Sequence, residues 1–175
     1  MKKIIFGTAI LMMVLFFAIL VIGIFRKMEN QKLIAEKISR LPSFSFLTLS
    51  KGSYNSTDIK NGPILVVHFH PECEHCQYEI FEILKEKIPS LFTNVLLISS
   101  AHPDSIKRFF DQLNYSNFPS VIPLIDTAYN FEDIFGTGIV PSIYIYDKGL
   151  NLVKVLHGEV RTANIINYLK ESETD

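Results

Sequence analysis

The six residues Ile-Leu-Val-Val-His-Phe at 64–69 constrain this chain more than any other stretch. A continuous apolar, β-branched run without polar alternation reads as a strand buried on both faces, the inner strand of a covered sheet. After it comes HPECEHCQ (70–77), and then apolar residues at helical spacing, Ile80, Phe81, Ile83, Leu84 and Ile88, up to Pro89. NVLLISS (94–100) is a second buried strand, and PDSIKRFFDQL (103–113) opens on Pro-Asp, favourable chemistry for the first turn of a helix. VIPLID (121–126) reads as a short strand and 129–135 as a short helix. SIYIYD (142–147), the turn DKGL and NLVKVLH (151–157) form an antiparallel hairpin, and RTANIINYLKE (161–171) is a closing helix. Upstream, SFSFLTL (43–49) alternates like a short strand, whereas SKGSYNSTDIKNGP (50–63) is turn-rich. The succession predicts an α/β fold, a mixed central sheet with helices on both faces.

The N-terminal segment is of another kind. Ile4 to Phe25 is an uncharged apolar run of 22 residues, flanked by Lys2-Lys3 and Arg26-Lys27. A helix of that length crosses a hydrocarbon core of about 30 Å. No small-residue cleavage pattern follows it, so it reads as an uncleaved transmembrane signal-anchor. The chain divides accordingly into an anchor (1–27), a charged juxtamembrane stalk (28–41) ended by Pro42, and one domain (42–175). A short basic leader before a single apolar segment favours export of the domain downstream of it. The expectation is a single-pass protein of an inner or plasma membrane, its domain on the periplasmic side. Seventeen Lys and Arg against eighteen Asp and Glu, without a basic cluster, argue against nucleic-acid binding.

Cys73 and Cys76 are the only cysteines, so no disulfide framework supports the fold and the pair is available for chemistry. Three uses are open: a redox couple, half of a metal site, or a local staple. The position decides among them. Cys73 falls where the strand run stops and helical periodicity begins, where free N–H groups and the helix dipole stabilise an anionic nucleophile. Cys76, one turn on, faces the same side and is near enough to close a disulfide. Cys73 is therefore expected to attack and Cys76 to resolve, with Glu74 and His75 tuning the couple in opposite senses. His68, His70 and His75 stand close by in sequence, but a structural zinc site draws a second ligand pair from elsewhere, and none is present.

These stretches resemble the thioredoxin superfamily, and within it the membrane-tethered TlpA/ResA-like thiol–disulfide oxidoreductases with an AhpC/TSA-type domain. The resemblance runs from about Pro42 to Leu169 and rests on the segment ending in HPECEHC, on LLISSAHPD, on GTGIVPSIYIYDKG and on HGE. It implies that Pro141 is a cis-proline facing the cysteines, that Val140 contacts the substrate backbone, and that Glu79, in the pattern C-E-x-C-x-x-E, manages protons for them. Departures are plain: Glu72 replaces the usual Trp before the first cysteine, and Val67 replaces the buried Asp of the central strand. His70 stands where a peroxiredoxin carries Thr, which sets that activity aside.

The expectation is thus an oxidoreductase exchanging disulfides with extracytoplasmic protein thiols, favoured as a reductant and recycled by a separate electron donor. It needs no cofactor beyond a Cys73–Cys76 disulfide and no metal. The alternative is a copper-handling module on the same fold, with Cys73, Cys76 and His157 as ligands.

Overall fold

The computed structural model describes the backbone of residues 2–113 and 115–172, and the side chains of 12–13, 15–113 and 115–172. The chain divides into two compact units, residues 1–36 and 37–175. The first is helical, part of helix α1 (Lys2–Ile38). The apolar run expected to cross a membrane lies in it, but the side chains of 4–11 and 14 are outside the described residues. Among the described residues, no helix is long and apolar enough to span a membrane. The described side chains from Met12 to Phe25 are all exposed.

The second unit takes in residues 37–41, which the sequence pattern assigns to a stalk. Ile38 is buried and its carbonyl accepts the Tyr146 hydroxyl at 3.3 Å, while Leu152 N–H donates to Ser39 O and Leu41 N–H to Leu150 O. These backbone bonds tie the segment down before Pro42.

Seven strands form one sheet: β1 (Ser45–Thr48), β2 (Ser53–Asn55), β3 (Ile64–His68), β4 (Asn94–Ser99), β5 (Val121–Ile125), β6 (Ser142–Tyr146) and β7 (Leu152–His157), in the order β2-β1-β5-β4-β3-β6-β7. β3, β4 and β5 run parallel, joined by α2 (Glu74–Lys85) and α3 (Pro103–Asp111), and the other pairings are antiparallel. Right-handed crossovers moving in one direction place α2 and α3 on one face. Leu65, Val67 and Phe69 meet Ile80, Ile83, Ile106, Phe110 and, from α5 (Thr162–Glu171), Ile165 in that core. The opposite face is covered by α4 (Phe131–Phe135), where Phe131 and Phe135 stack on each other and contact Tyr144. All five residues of β3 are buried, as its unbroken apolar run requires.

β2 departs from the sequence-based expectation, because Ser-Tyr-Asn carries no apolar alternation; its register against β1 sets Tyr54 opposite Phe46. Gly62–Pro63 is a cis peptide, and Gly62 lies so close to the Asp147 carbonyl that a Cβ has no room there. β3 lies inside the sheet between β4 and β6, and its C-terminal end leads into the cysteine motif.

Candidate active site

The motif sits on a built turn. Beyond β3, Phe69 N–H still bonds Ile98 O (3.0 Å), after which His70 turns the chain: its carbonyl accepts Cys73 N–H and its Nδ1 accepts Glu72 N–H at 3.2 Å. Gln77 Nε2 closes the turn on Pro71 O at 2.6 Å. Cys73 becomes the N-cap of α2, half-buried, and its backbone carbonyl accepts the Gln77 N–H. Cys76 is fully buried. Its Sγ accepts the His70 N–H at 3.5 Å, and both cysteines are free thiols. Burial pushes the Cys76 thiol up to about 12, against the His70 N–H; the adjoining Cys73 sulfur and the Glu79 charge push the same way.

Glu79 lies one turn beyond Cys76 on the inner stripe of α2, with Ile80 and Ile83, and is fully buried. Its Oε2 accepts the Val160 N–H at 2.8 Å, whereas Oε1 is buried without a partner. Burial, reinforced by the charges of Glu159 and Glu82, raises its carboxyl to about 7 despite the Val160 bond. A carboxyl poised near neutrality beside a buried thiol can take and return a proton. The signal for this was present in the sequence: Cys76, Glu79, Ile80 and Ile83 share one helical stripe, so Glu79 had to point inward with them.

Glu74 and His75 occupy the first turn of α2 and are exposed. His75 Nδ1 meets Glu159 Oε2 at 3.0 Å, so its ring is committed to the segment after β7. Val140–Pro141 is a cis peptide, as the resemblance implied for Pro141. The Pro141 carbonyl accepts Gly158 N–H at 2.9 Å. Next to it, Ser142 Oγ donates to Ile139 O at 2.7 Å, and since a hydroxyl has one hydrogen, the 2.8 Å contact with His157 Nδ1 is donated by the histidine. His68 stacks on Phe131 (centroids 3.9 Å apart) and its Nδ1 is buried without a partner; burial lowers its pKa to about 4. Sequence reasoning weighed His68 only as a possible metal ligand and used Gly158 and Glu159 only as part of the HGE landmark, and it missed Ser142 and Val160 altogether. Only Glu159, following a glycine at the end of the last strand, gave any local signal.

Among the described residues, no three of His, Cys, Asp and Glu stand close enough to hold a metal ion. Cys73, Cys76 and His157 do not form the ligand set considered for copper. His157 is instead engaged with Ser142. A cavity of about 480 Å³ adjoins the motif, lined by His68, His70, Phe131 and Val140 among others.

A seven-stranded mixed sheet with a cysteine pair at the start of its first crossover helix, and a cis-proline just before the strand that pairs with β3, defines the thioredoxin-like class of fold. The sequence matches no family model and no curated protein. Solved structures do resemble the chain. The exposed lipoprotein thioredoxin Etrx1 of Streptococcus pneumoniae is 19% identical with a TM-score of 0.60, covering 74% of this chain and 98% of its own. The thioredoxin domain of a thiol-disulfide oxidoreductase from Bacteroides vulgatus is 16% identical with a TM-score of 0.60, covering 77% and 96%. A peroxiredoxin-like protein from Aquifex aeolicus is 18% identical with a TM-score of 0.57, covering 76% and 85%. Likeness at these identities establishes the thioredoxin-like fold, and the chemistry has to be argued from the site.

Proposed function

We propose that this chain is a membrane-tethered thiol–disulfide oxidoreductase that reduces disulfides of extracytoplasmic proteins. The observation that carries the reading is the division of labour between the cysteines: Cys73 half-exposed at the head of α2, Cys76 buried above a carboxyl that titrates near neutrality. The Cys73 thiolate attacks one sulfur of a partner disulfide, forming a mixed disulfide and releasing the partner's second sulfur as a thiolate. Glu79 then takes the Cys76 proton, Cys76 attacks Cys73, and the partner leaves as a dithiol while a Cys73–Cys76 disulfide forms. Two electrons pass to the partner, and the protons of the two cysteine thiols balance its two new thiols. The push from the Cys73 sulfur on Cys76 ends once Cys73 is in the mixed disulfide, so Cys76 becomes the better proton donor when its turn comes.

Two observations support reduction as the direction. The His75 ring, which could favour a thiolate at the head of α2 and with it an oxidising couple, is paired with Glu159 instead. Cys76 is held as a thiol by burial. Val140 and Pro141 would supply the backbone edge against which a partner segment pairs. The membrane anchor rests on the apolar run 4–25 and on the exposure of every described apolar side chain from Met12 to Phe25, a surface suited to lipid.

Equilibration of the full chain with glutathione buffers, read by thiol labelling, tests the activity. A reversible two-electron couple that disappears in Cys73→Ser is the expected result. Stoichiometric copper or zinc binding with no exchange with any protein disulfide would overturn it. A reporter fused after Asp175 that works only in the cytoplasm would overturn export.

A further inference from the structure

Three consecutive residues after β7 meet three separate parts of the site. Gly158 donates its N–H to the Pro141 carbonyl at 2.9 Å, Glu159 pairs with His75 at 3.0 Å, and Val160 donates its N–H to Glu79 at 2.8 Å. Gly158 has φ of +77° with nothing within 4 Å of a would-be Cβ, so glycine serves the backbone turn there and not a close approach. That turn takes the chain off the hairpin and over the head of α2. The His75–Glu159 pair is exposed, with 73% and 45% of the two side chains accessible, and pairs of that kind add little to stability. Its place in the site calls for another account.

We propose that Glu159 is a positioning residue for Glu79: tethered by His75 of the cysteine motif, it keeps the Val160 N–H on the buried carboxyl and stands as a negative charge beside it. This rests on the reading of Glu79 as proton acceptor for Cys76. The groups facing Glu79 are Cys76 and Glu82 on α2 and Glu159 on the segment before α5. His75 reaches Glu79 through Glu159. The two contributions of Glu159 oppose each other, since its charge disfavours ionised Glu79 and the N–H it positions favours it. Substitution can separate them. Glu159→Gln keeps an oxygen for His75 Nδ1–H and removes only the charge; Glu159→Ala removes charge and tether together.

The experiment follows resolution of a preformed mixed disulfide between Cys73 and a cysteine peptide, in the full chain, as a function of pH. Carbon-13 observation of the Glu79 carboxyl provides a readout independent of turnover. In Glu159→Gln both inflections move to lower pH by about half a unit, roughly a threefold gain in rate on the acid side. Glu159→Ala shows a smaller displacement. An unmoved or upward-shifted inflection in Glu159→Gln, alongside a Glu79→Gln variant that abolishes it, overturns the role of Glu159 and leaves that of Glu79 standing. A Glu79→Gln variant with the wild-type profile overturns both.

Discussion

Glu79 Oε2 accepts the backbone N–H of Val160 at 2.8 Å, while the other oxygen of the same carboxyl lies buried without any partner. One oxygen anchors the group and the other is available for a proton beside Cys76. Replacement by Gln keeps the anchoring bond and removes proton exchange. Glu79→Gln should slow resolution of the mixed disulfide by about a hundredfold near neutral pH, with attack by Cys73 little changed. Rapid-mixing measurement of the two steps checks this, and equal slowing of both would count against proton transfer through Glu79.

Two buried groups give the fold opposing pH dependences. Glu79 titrates near 7 in the native protein against 4.5 when unfolded, so the native state holds an extra proton between these values and loses stability as pH rises through them. His68 titrates near 4 against 6.5, so the unfolded state holds the extra proton and stability falls as pH drops through that window. Each slope is at most about 1.4 kcal/mol per pH unit, with opposite sign. Between 4.5 and 6.5 they cancel. Urea unfolding should show Glu79→Gln gaining stability with rising pH over that range. His68→Phe, which preserves stacking on Phe131, should lose it.

The same two residues show what the sequence could reveal. The strands and helices from Ile64 onward were legible because apolar periodicity is a local signal, and β3, α2, β4 and α3 follow from it directly. Glu79 was a candidate only through the C-E-x-C-x-x-E pattern of the resemblance, and its burial on the stripe of Ile80 and Ile83 is seen in the structure. His68 lay in plain view inside the strongest strand, yet its stacking partner Phe131 comes from more than sixty residues on. Glu159 is 84 residues from His75, and nothing local in either segment encodes their pairing. β2 escaped because three polar-flanked residues carry no alternation. Residues 37–41 escaped because their ties to the hairpin, two backbone bonds and the Tyr146 hydroxyl on the Ile38 carbonyl, join segments more than a hundred residues apart.

The aromatic layer over β6 should be the most sensitive part of the core on its face. Phe135 is 1% exposed, lies against Phe44, Phe131 and Tyr144, and its carbonyl accepts the Tyr144 hydroxyl at 3.1 Å. Phe135→Ala removes a ring that nothing nearby can replace and should cost about 3–5 kcal/mol. Phe81 on α2 is 53% exposed, and Phe81→Ala should stay within about 0.5 kcal/mol of the parent. Denaturation midpoints of the two variants measure the contrast, and comparable losses would mean that Phe81 is covered in the assembled protein.

Burial also predicts which cysteine variant captures a partner. Cys73 is reachable from solvent and Cys76 is not, so an incoming disulfide meets Cys73 first. Cys76→Ser leaves that attack intact and removes the only other sulfur able to displace the partner from Cys73. A cysteine peptide disulfide incubated with Cys76→Ser should therefore accumulate as a covalent adduct at Cys73, visible by mass spectrometry and released by excess dithiol. Cys73→Ser should form no adduct, because the remaining thiol is buried and burial, the largest cause of its raised pKa, still holds it protonated. Adduct formation in Cys73→Ser at a rate near that of Cys76→Ser would reverse the assigned roles.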